Sequence, residues 1–281
     1  MPVVEAPATS ANLGPGFDCL GLALELRDRV TFELSDHTAV TVSGEGAGEV
    51  ELGPDHLVLA SMRRAFEECG LPVPEVTVHC RNVIPHGRGL GSSSAAIVSG
   101  LAGARALGAP LSDDELLALA TAIEGHPDNV APAVLGGLTV AWMHEGVGRA
   151  LGVEPAAGLR VTVAVPAERL ATSTARSLLP ASVPFADAVH AVGRAALAVV
   201  AFTGHPEVLL DATEDRLHQD YRRDAYPQSW ELVQEWRDGG VPAAISGAGP
   251  TVVAFGADIE VPPGWQKMSL EVARRGVRIS P

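Results

Sequence analysis

The stretch Glu75-Val76-Thr77-Val78-His79-Cys80-Arg81, continued by Pro85-His86-Gly87-Arg88-Gly89-Leu90-Gly91-Ser92-Ser93-Ser94-Ala95-Ala96, decides how the chain is read. Val76, Val78 and Cys80 alternate with Thr77, His79 and Arg81, the period of a half-buried strand. A Gly-rich loop follows, then a run of small residues that predicts a helix ending near Gly108-Ala109-Pro110. Glycines let backbone N–H groups close around an anion, and the start of a helix adds unpaired N–H groups and the positive end of a dipole. Ser92, Ser93 and Ser94 add hydroxyl donors and a hard oxygen for a magnesium ion. The stretch is therefore read as a phosphate cradle; a tight turn with a serine cap is the plainer alternative.

Two other chemistries use the same residues. A dinucleotide fingerprint needs a third glycine where Ser92 stands, and its acid should end a second strand, whereas Asp113 and Asp114 open a helix. A nucleophile elbow would read Gly91-Ser92-Ser93-Ser94-Ala95 as its turn, with Ser93 as nucleophile and His126, His190 or His218 as base. That serine hydrolase is the leading rival enzyme class, and a non-catalytic nucleotide sensor is a third reading.

Outward from the loop, the chain alternates short strands and helices. Arg29–Leu34 and Ala39–Ser43 are expected as a strand pair, and Asp55–Gly70 as an amphipathic helix capped by Asp55. Ser112-Asp113-Asp114-Glu115 is a capping box opening a helix that runs to Glu124, and Leu138–Met143 is a strand. The Gly/Pro/Ala-rich segment Gly146–Gly158 marks a domain boundary, giving domains 1–150 and 151–281. Beyond it come a strand at Arg160–Pro166, helices at Ala186–Phe202, Pro206–Leu217 and Gln228–Asp238, strands at Ala243–Ser246 and Thr251–Phe255, and a last helix and strand. The fold class is α+β in two lobes.

Composition narrows the function. The chain carries 20 basic and 34 acidic residues, a formal charge of −14, which argues against a nucleic-acid or anionic-membrane partner. Its one lysine is Lys267. No Gly-Lys pair exists for a Walker A loop, and a protein kinase's strand lysine, His-Arg-Asp and Asp-Phe-Gly are missing. Cys19, Cys69 and Cys80 form no CxxC pair, which suits a reducing compartment. With no leader-like N-terminus and no uninterrupted apolar run of membrane length, a cytoplasmic location is expected.

Three further clusters could carry chemistry. Glu124-Gly125-His126-Pro127-Asp128-Asn129 sets two carboxylates, an imidazole and an amide at a helix end, suited to a metal ligand and an acceptor-orienting group. Its bland reading is a left-handed turn at Gly125 followed by a helix start capped by Asp128. Ala6-Pro7-Ala8-Thr9-Ser10-Ala11-Asn12-Leu13-Gly14-Pro15-Gly16-Phe17-Asp18 is a polar loop fit for a small ligand, or an ordinary surface turn. Ser246-Gly247-Ala248-Gly249-Pro250-Thr251 is a hairpin turn or a second glycine wall on the phosphate site.

In this order the segments resemble the GHMP family of small-molecule kinases, and within it the homoserine kinase branch, from Pro7 to the strand after Gly249. Gly89-Leu90-Gly91-Ser92-Ser93 is similar to the family's phosphate loop, and Ser246–Thr251 to its C-terminal glycine motif. The segments from Ala8 to Gly21 and from Glu124 to Pro132 resemble the homoserine branch, while the lysine or arginine that mevalonate and galactose kinases carry near the first Pro-Gly is absent.

The resemblance implies a two-lobed fold, an N-terminal lobe with a left-handed βαβ phosphate-binding unit and a ferredoxin-like C-terminal lobe. It implies ATP-dependent phosphorylation of the L-homoserine hydroxyl on the path to threonine; another small hydroxylated acceptor is the alternative within the family. Pro85 to Ala95 would hold the nucleotide, with His56 near the adenine where the family usually has an asparagine. Ser93 and Glu124 would hold Mg2+, and a homodimer is implied. Asp18 would meet the substrate's ammonium, Arg176 and Arg222 its carboxylate, and Asn12, His126, Thr172, Gly247 and Gly249 would complete that site. Either Asp128 or Asn129 would face the acceptor hydroxyl; the preferred reading turns Asn129 inward and leaves Asp128 as a helix cap.

Overall fold

A computed structural model describes residues 1–256 and 258–281 of the chain. The first lobe contains β1 (Val3–Ala11), β2 (Leu20–Leu34), β3 (Ala39–Gly44), α1 (Leu57–Glu68), β4 (Val76–Asn82), α2 (Ser92–Ala106), α3 (Asp113–Glu124), α4 (Pro127–Leu135), β5 (Leu138–His144) and β6 (Val147–Val153). The second contains β7 (Arg160–Val165), α5 (Thr172–Ser177), α6 (Phe185–Thr203), α7 (Leu209–Ala212), α8 (Pro227–Asp238), β8 (Ala243–Ile245), β9 (Val252–Phe255) and β10 (Gln266–Glu271). The last strand, β11 (Arg278–Ser280), returns to the first lobe and pairs with β1.

The long strand β2 organises the first sheet. It pairs antiparallel with β1 along one edge, and with β4 and then β5 along the other. The sheet runs β11-β1-β2-β4-β3, with β5 on β2 and β6 on β5. Helices α1 to α4 bury its apolar face, joining Phe32, Val78, Met62, Phe66, Ile97, Leu101, Leu116 and Leu117 in one core. The small residues of α2 serve this packing: a side-chain carbon on Gly103 would run into the Phe32 ring. The capping box at Ser112 forms as its sequence requires, the hydroxyl meeting the Glu115 N–H and the Glu115 carboxylate the Ser112 N–H.

The second sheet is antiparallel, β10-β7-β9-β8. Numbered along the lobe, that is the order fourth, first, third, second of a ferredoxin-like sheet. A core of Leu22, Leu24, Leu90 and Leu138 from the first lobe with Val161, Val163, Phe202 and Phe255 from the second ties the lobes together. The Phe202 and Phe255 rings meet edge-on at 4.8 Å.

Several element-level expectations change. Arg29–Leu34 and Ala39–Ser43 are not partners: β4, with two pairing edges, lies between them, antiparallel to β2 and parallel to β3. Asp55 does not cap α1; His56 holds that position without a side-chain cap bond. The expected helix over Pro206–Leu217 is a 3₁₀ turn at Pro206–Val208 and the single turn α7. The expected C-terminal helix is β10, whose alternating partly buried residues pair with β7. Gly146–Gly158, read as a boundary, contains β6, which pairs fully with β5; the second sheet starts only at Arg160.

Candidate active site

The Gly-rich loop is held from both lobes. Beneath it, the buried Asp28 carboxylate accepts the N–H groups of Val83 and Ile84 at 2.7 and 3.0 Å. Above it, Ser246 Oγ donates to the Gly89 carbonyl at 2.6 Å, and the Thr251 and Leu170 N–H groups reach the Arg88 and Gly87 carbonyls. Gly91 sits at φ +69° immediately before α2, and a side chain there would strike Thr9 Oγ1. Among the described residues no side chain caps α2, which leaves its first N–H groups free for a ligand.

That space has two chambers sharing Gly87, Ser92 and Ser93. The larger, about 350 Å³, is lined by Asp28, His56, Val58, Cys80, Asn82, His86 and Ser99. Its apolar walls suit a flat heterocycle, and it carries buried polar atoms without protein partners, His56 Nδ1 and Ser99 Oγ. Burial pushes the His56 and His86 pKa values down, which favours the neutral form of both rings. Burial also pushes the Asp28 carboxyl up to about 6, against its two backbone hydrogen bonds, and the Cys80 thiol up to about 12.

The smaller chamber, about 200 Å³, gathers residues from both lobes, including Asn12, Asp18, Ser93, Glu124, His126, Asp128, Asn129, Thr172, Arg176, Arg222 and Gly247. At its junction with the larger one, Ser93 Oγ and Ser94 Oγ donate to Glu124 Oε1 at 2.7 and 3.0 Å. One carboxylate beside a hydroxyl, next to a phosphate-sized opening, is a donor set that fits Mg2+, which takes few protein ligands and completes its shell with phosphate and water. No histidine bonds to Ser93 among the described residues, so the nucleophile–base contact a serine hydrolase needs is absent there.

The opposite wall is charged. Arg176 makes a two-pronged ion pair with Asp18, at 2.9 and 2.7 Å. The Arg176 and Arg222 guanidinium groups flank the Phe17 ring, 5.4 and 5.0 Å from its centre. Arg222 is 2% exposed and its Nε has no hydrogen-bond partner among the described residues. Its hydrogen bond to His218 Nδ1 is long, at 3.4 Å, while His218 Nε2 lies 2.7 Å from the Gly14 carbonyl. The loop carrying Asp18 is tense: Asn12, Leu13 and Asp18 all have positive φ. The Asn12 amide fixes it by donating to the Gly247 carbonyl at 2.9 Å and accepting the Asp18 N–H at 3.0 Å.

At the chamber's end, His126 Nδ1 lies 2.6 Å from Asp128 Oδ1. Burial opposes charge on this imidazole, but the hydrogen bond it donates to Asp128 and the nearby carboxylates outweigh that and raise the His126 pKa. Asp128 was expected to cap α4; instead its buried carboxylate faces the chamber, and His126 holds the cap position without a side-chain cap bond. Asn129 also faces the chamber, its Oδ1 accepting from Thr9 Oγ1 at 2.8 Å.

Most predicted site residues thus meet in one connected space. Pro85, Leu90, Ser94 and Ala95 are buried beneath it as supports. Arg88 turns away, donating to the Pro166 and Ala167 carbonyls. Gly249 backs Gly89 from outside the chamber. Sequence reading missed Asp28, Ser99 and Phe17 as wall residues. Asp28, an acid in mid-strand between Arg27 and Arg29, was the one visible signal.

Comparison with known proteins gives the family. The family model described as the GHMP kinases N terminal domain matches residues 56–137. A homoserine kinase of Streptomyces avermitilis is 48% identical, covering 99% of this chain and 95% of that protein. Among solved structures, homoserine kinase from Cytophaga hutchinsonii shares the fold at a TM-score of 0.86 and 24% identity, over 99% and 96% of the two chains. A putative homoserine kinase from Listeria monocytogenes aligns over all of both chains at a TM-score of 0.77 and 27% identity. By near full-length likeness at this identity, the chain belongs to the homoserine kinases of the GHMP kinase family.

Proposed function

We propose that the protein transfers the γ-phosphoryl group of ATP to the side-chain hydroxyl of L-homoserine. The observation that carries this is the joining, over Ser93 and Glu124, of a heterocycle-sized chamber to a second one lined by opposed charges. The larger chamber takes the adenosine, and the loop from Gly87 to Ser93 takes the phosphates through backbone N–H groups. Asp18 receives the substrate's ammonium and Arg222, with Arg176, its carboxylate. The first lobe supplies the nucleotide site and the second the arginines.

Ser93 and Glu124 are the ligands we assign to Mg2+, which when bound neutralises charge on the transferred phosphoryl group. Asn129 orients the acceptor hydroxyl, and the Asp128–His126 pair positions that end of the site. Rate enhancement then comes from alignment and charge stabilisation rather than a dedicated carboxylate base. The reading includes a cytoplasmic homodimer.

A coupled ATPase assay across homoserine, mevalonate, galactose, shikimate and serine tests it. Turnover should require homoserine and Mg2+ and fall on the order of a hundredfold or more in Ser93→Ala and Glu124→Gln. Covalent labelling of Ser93 by a fluorophosphonate without metal would instead mark a hydrolase. Loss of all turnover in Asp128→Asn with nucleotide binding intact would make Asp128 the base.

A further inference from the structure

The longest helix of the molecule shows an apolar face to solvent. Phe185, Val189, Val192 and Val200 of α6 are 84, 57, 73 and 47% exposed, and Ala186, Gly193 and Ala196 lie open beside them. The helix's opposite face, Ala191, Ala198, Ala201 and Phe202, is locked into the core. Its charged groups turn to the flank, where Arg194 meets Glu214 at 3.2 Å and Asp211 at 3.7 Å, and His190 lies 3.6 Å from Glu214.

We infer that this face is where two copies of the chain meet, α6 packing antiparallel on its counterpart about a two-fold axis between Val192 and Gly193. Apart from Ala186 at its margin, the exposed stripe reads 185, 189, 192, 193, 196, 200, and these intervals are the same from either end. An antiparallel copy therefore sets Phe185 opposite Val200, Val189 opposite Ala196 and Val192 opposite Gly193. Larger side chains meet smaller ones at each level, the complementarity a self-paired interface requires. Gly193 supports this independently. A glycine inside a helix costs roughly 1 kcal/mol relative to alanine, yet nothing among the described residues lies within 4 Å of where its side chain would project. Its use is close approach by another body.

The area is sufficient. The stripe offers roughly 500 Å² of apolar surface, about the apolar share of one side of a standard interface. A membrane is the less suited occupant. The helix is long and apolar enough to span one, but its inner face cannot leave the core, and a chain of charge −14 is repelled by anionic lipid.

The inference rests on the homodimer reading and adds its surface, so the experiment separates the two. Sedimentation at micromolar concentration should give a dimer for the unaltered chain and a monomer for Val192→Glu, whose exposed position leaves the thermal midpoint within a few degrees. Gly193→Cys should form a disulfide-linked dimer on mild oxidation, and Val147→Cys, exposed on the other lobe, should not. If Val192→Glu fails to fold, cross-linking of Gly193→Cys decides alone. A monomeric unaltered chain defeats both the homodimer and this surface. A dimeric, folded Val192→Glu defeats the surface alone. Binding of an unaltered monomer to phosphatidylcholine vesicles, lost in Val192→Glu, would give the face to lipid and overturn the inference.

Discussion

Arg222 has five N–H donors, and the structure satisfies few of them. A buried cation this poorly paired is costly by itself and becomes favourable when a carboxylate enters the chamber. Arg222→Met should therefore raise KM for homoserine on the order of a hundredfold, with ATP affinity unchanged, as read by initial rates and nucleotide titration. Asp28 poses a comparable problem with pH. Its pKa, 3.8 for a free carboxyl, is about 6 in the fold. Between pH 4 and 6 the folded state thus holds a proton the unfolded state has released, and stability falls as pH rises through that window. The loss is about 3 kcal/mol, complete above pH 6 and absent below pH 4. Asp28→Asn should flatten that part of the stability–pH curve, measured by denaturant unfolding. The place of Arg222 on the chamber wall was legible through the resemblance of its motif. Asp28 was not, since its burial arises from three strands and the loop start meeting around it.

At the scale of elements, the turn from β4 into α2 was legible because its requirements are local. Strand alternation, glycines at positive φ and a run of small residues all lie within the segment itself. Gly91→Ala tests that requirement from two sides, since φ is +69° and the new methyl would overlap Thr9 Oγ1. It should shift the loop and the Thr9–Asn129 bond together, lowering kcat and ATP affinity on the order of tenfold or more, as a 1–3 kcal/mol overpacking cost implies. A shift in KM for homoserine alone would contradict this account. Strand partnership was less legible: β2 and β3 are near neighbours in sequence, but β4 comes between them only after a long connection. The fate of Asp128 was hidden for a similar reason, because a Pro-Asp-Asn helix start looks alike whether its acid turns back to the backbone or toward His126.

At the scale of the molecule, composition narrowed the chemistry but gave no geometry. A charge of −14 is compatible with an anionic co-substrate if, as proposed, the Gly-rich loop holds phosphates through backbone N–H groups rather than through lysine. The two-lobed plan was visible in the order of elements. The return of the last strand was not, because Arg278–Ser280 is three exposed residues long and gains its place only from β1. That return has a topological consequence. Val3 lies opposite Ser280 in adjacent strands, a separation of roughly 5 Å, so the chain is almost a closed ring. Joining Pro281 to Met1 through a short glycine linker and reopening the ring at the exposed turn Glu145-Gly146 should give a permuted protein with the same fold and catalytic constants. Circular dichroism and the kinase assay would show it, and an unfolded product would mean that the order of synthesis, not only the native contacts, directs assembly of the first sheet.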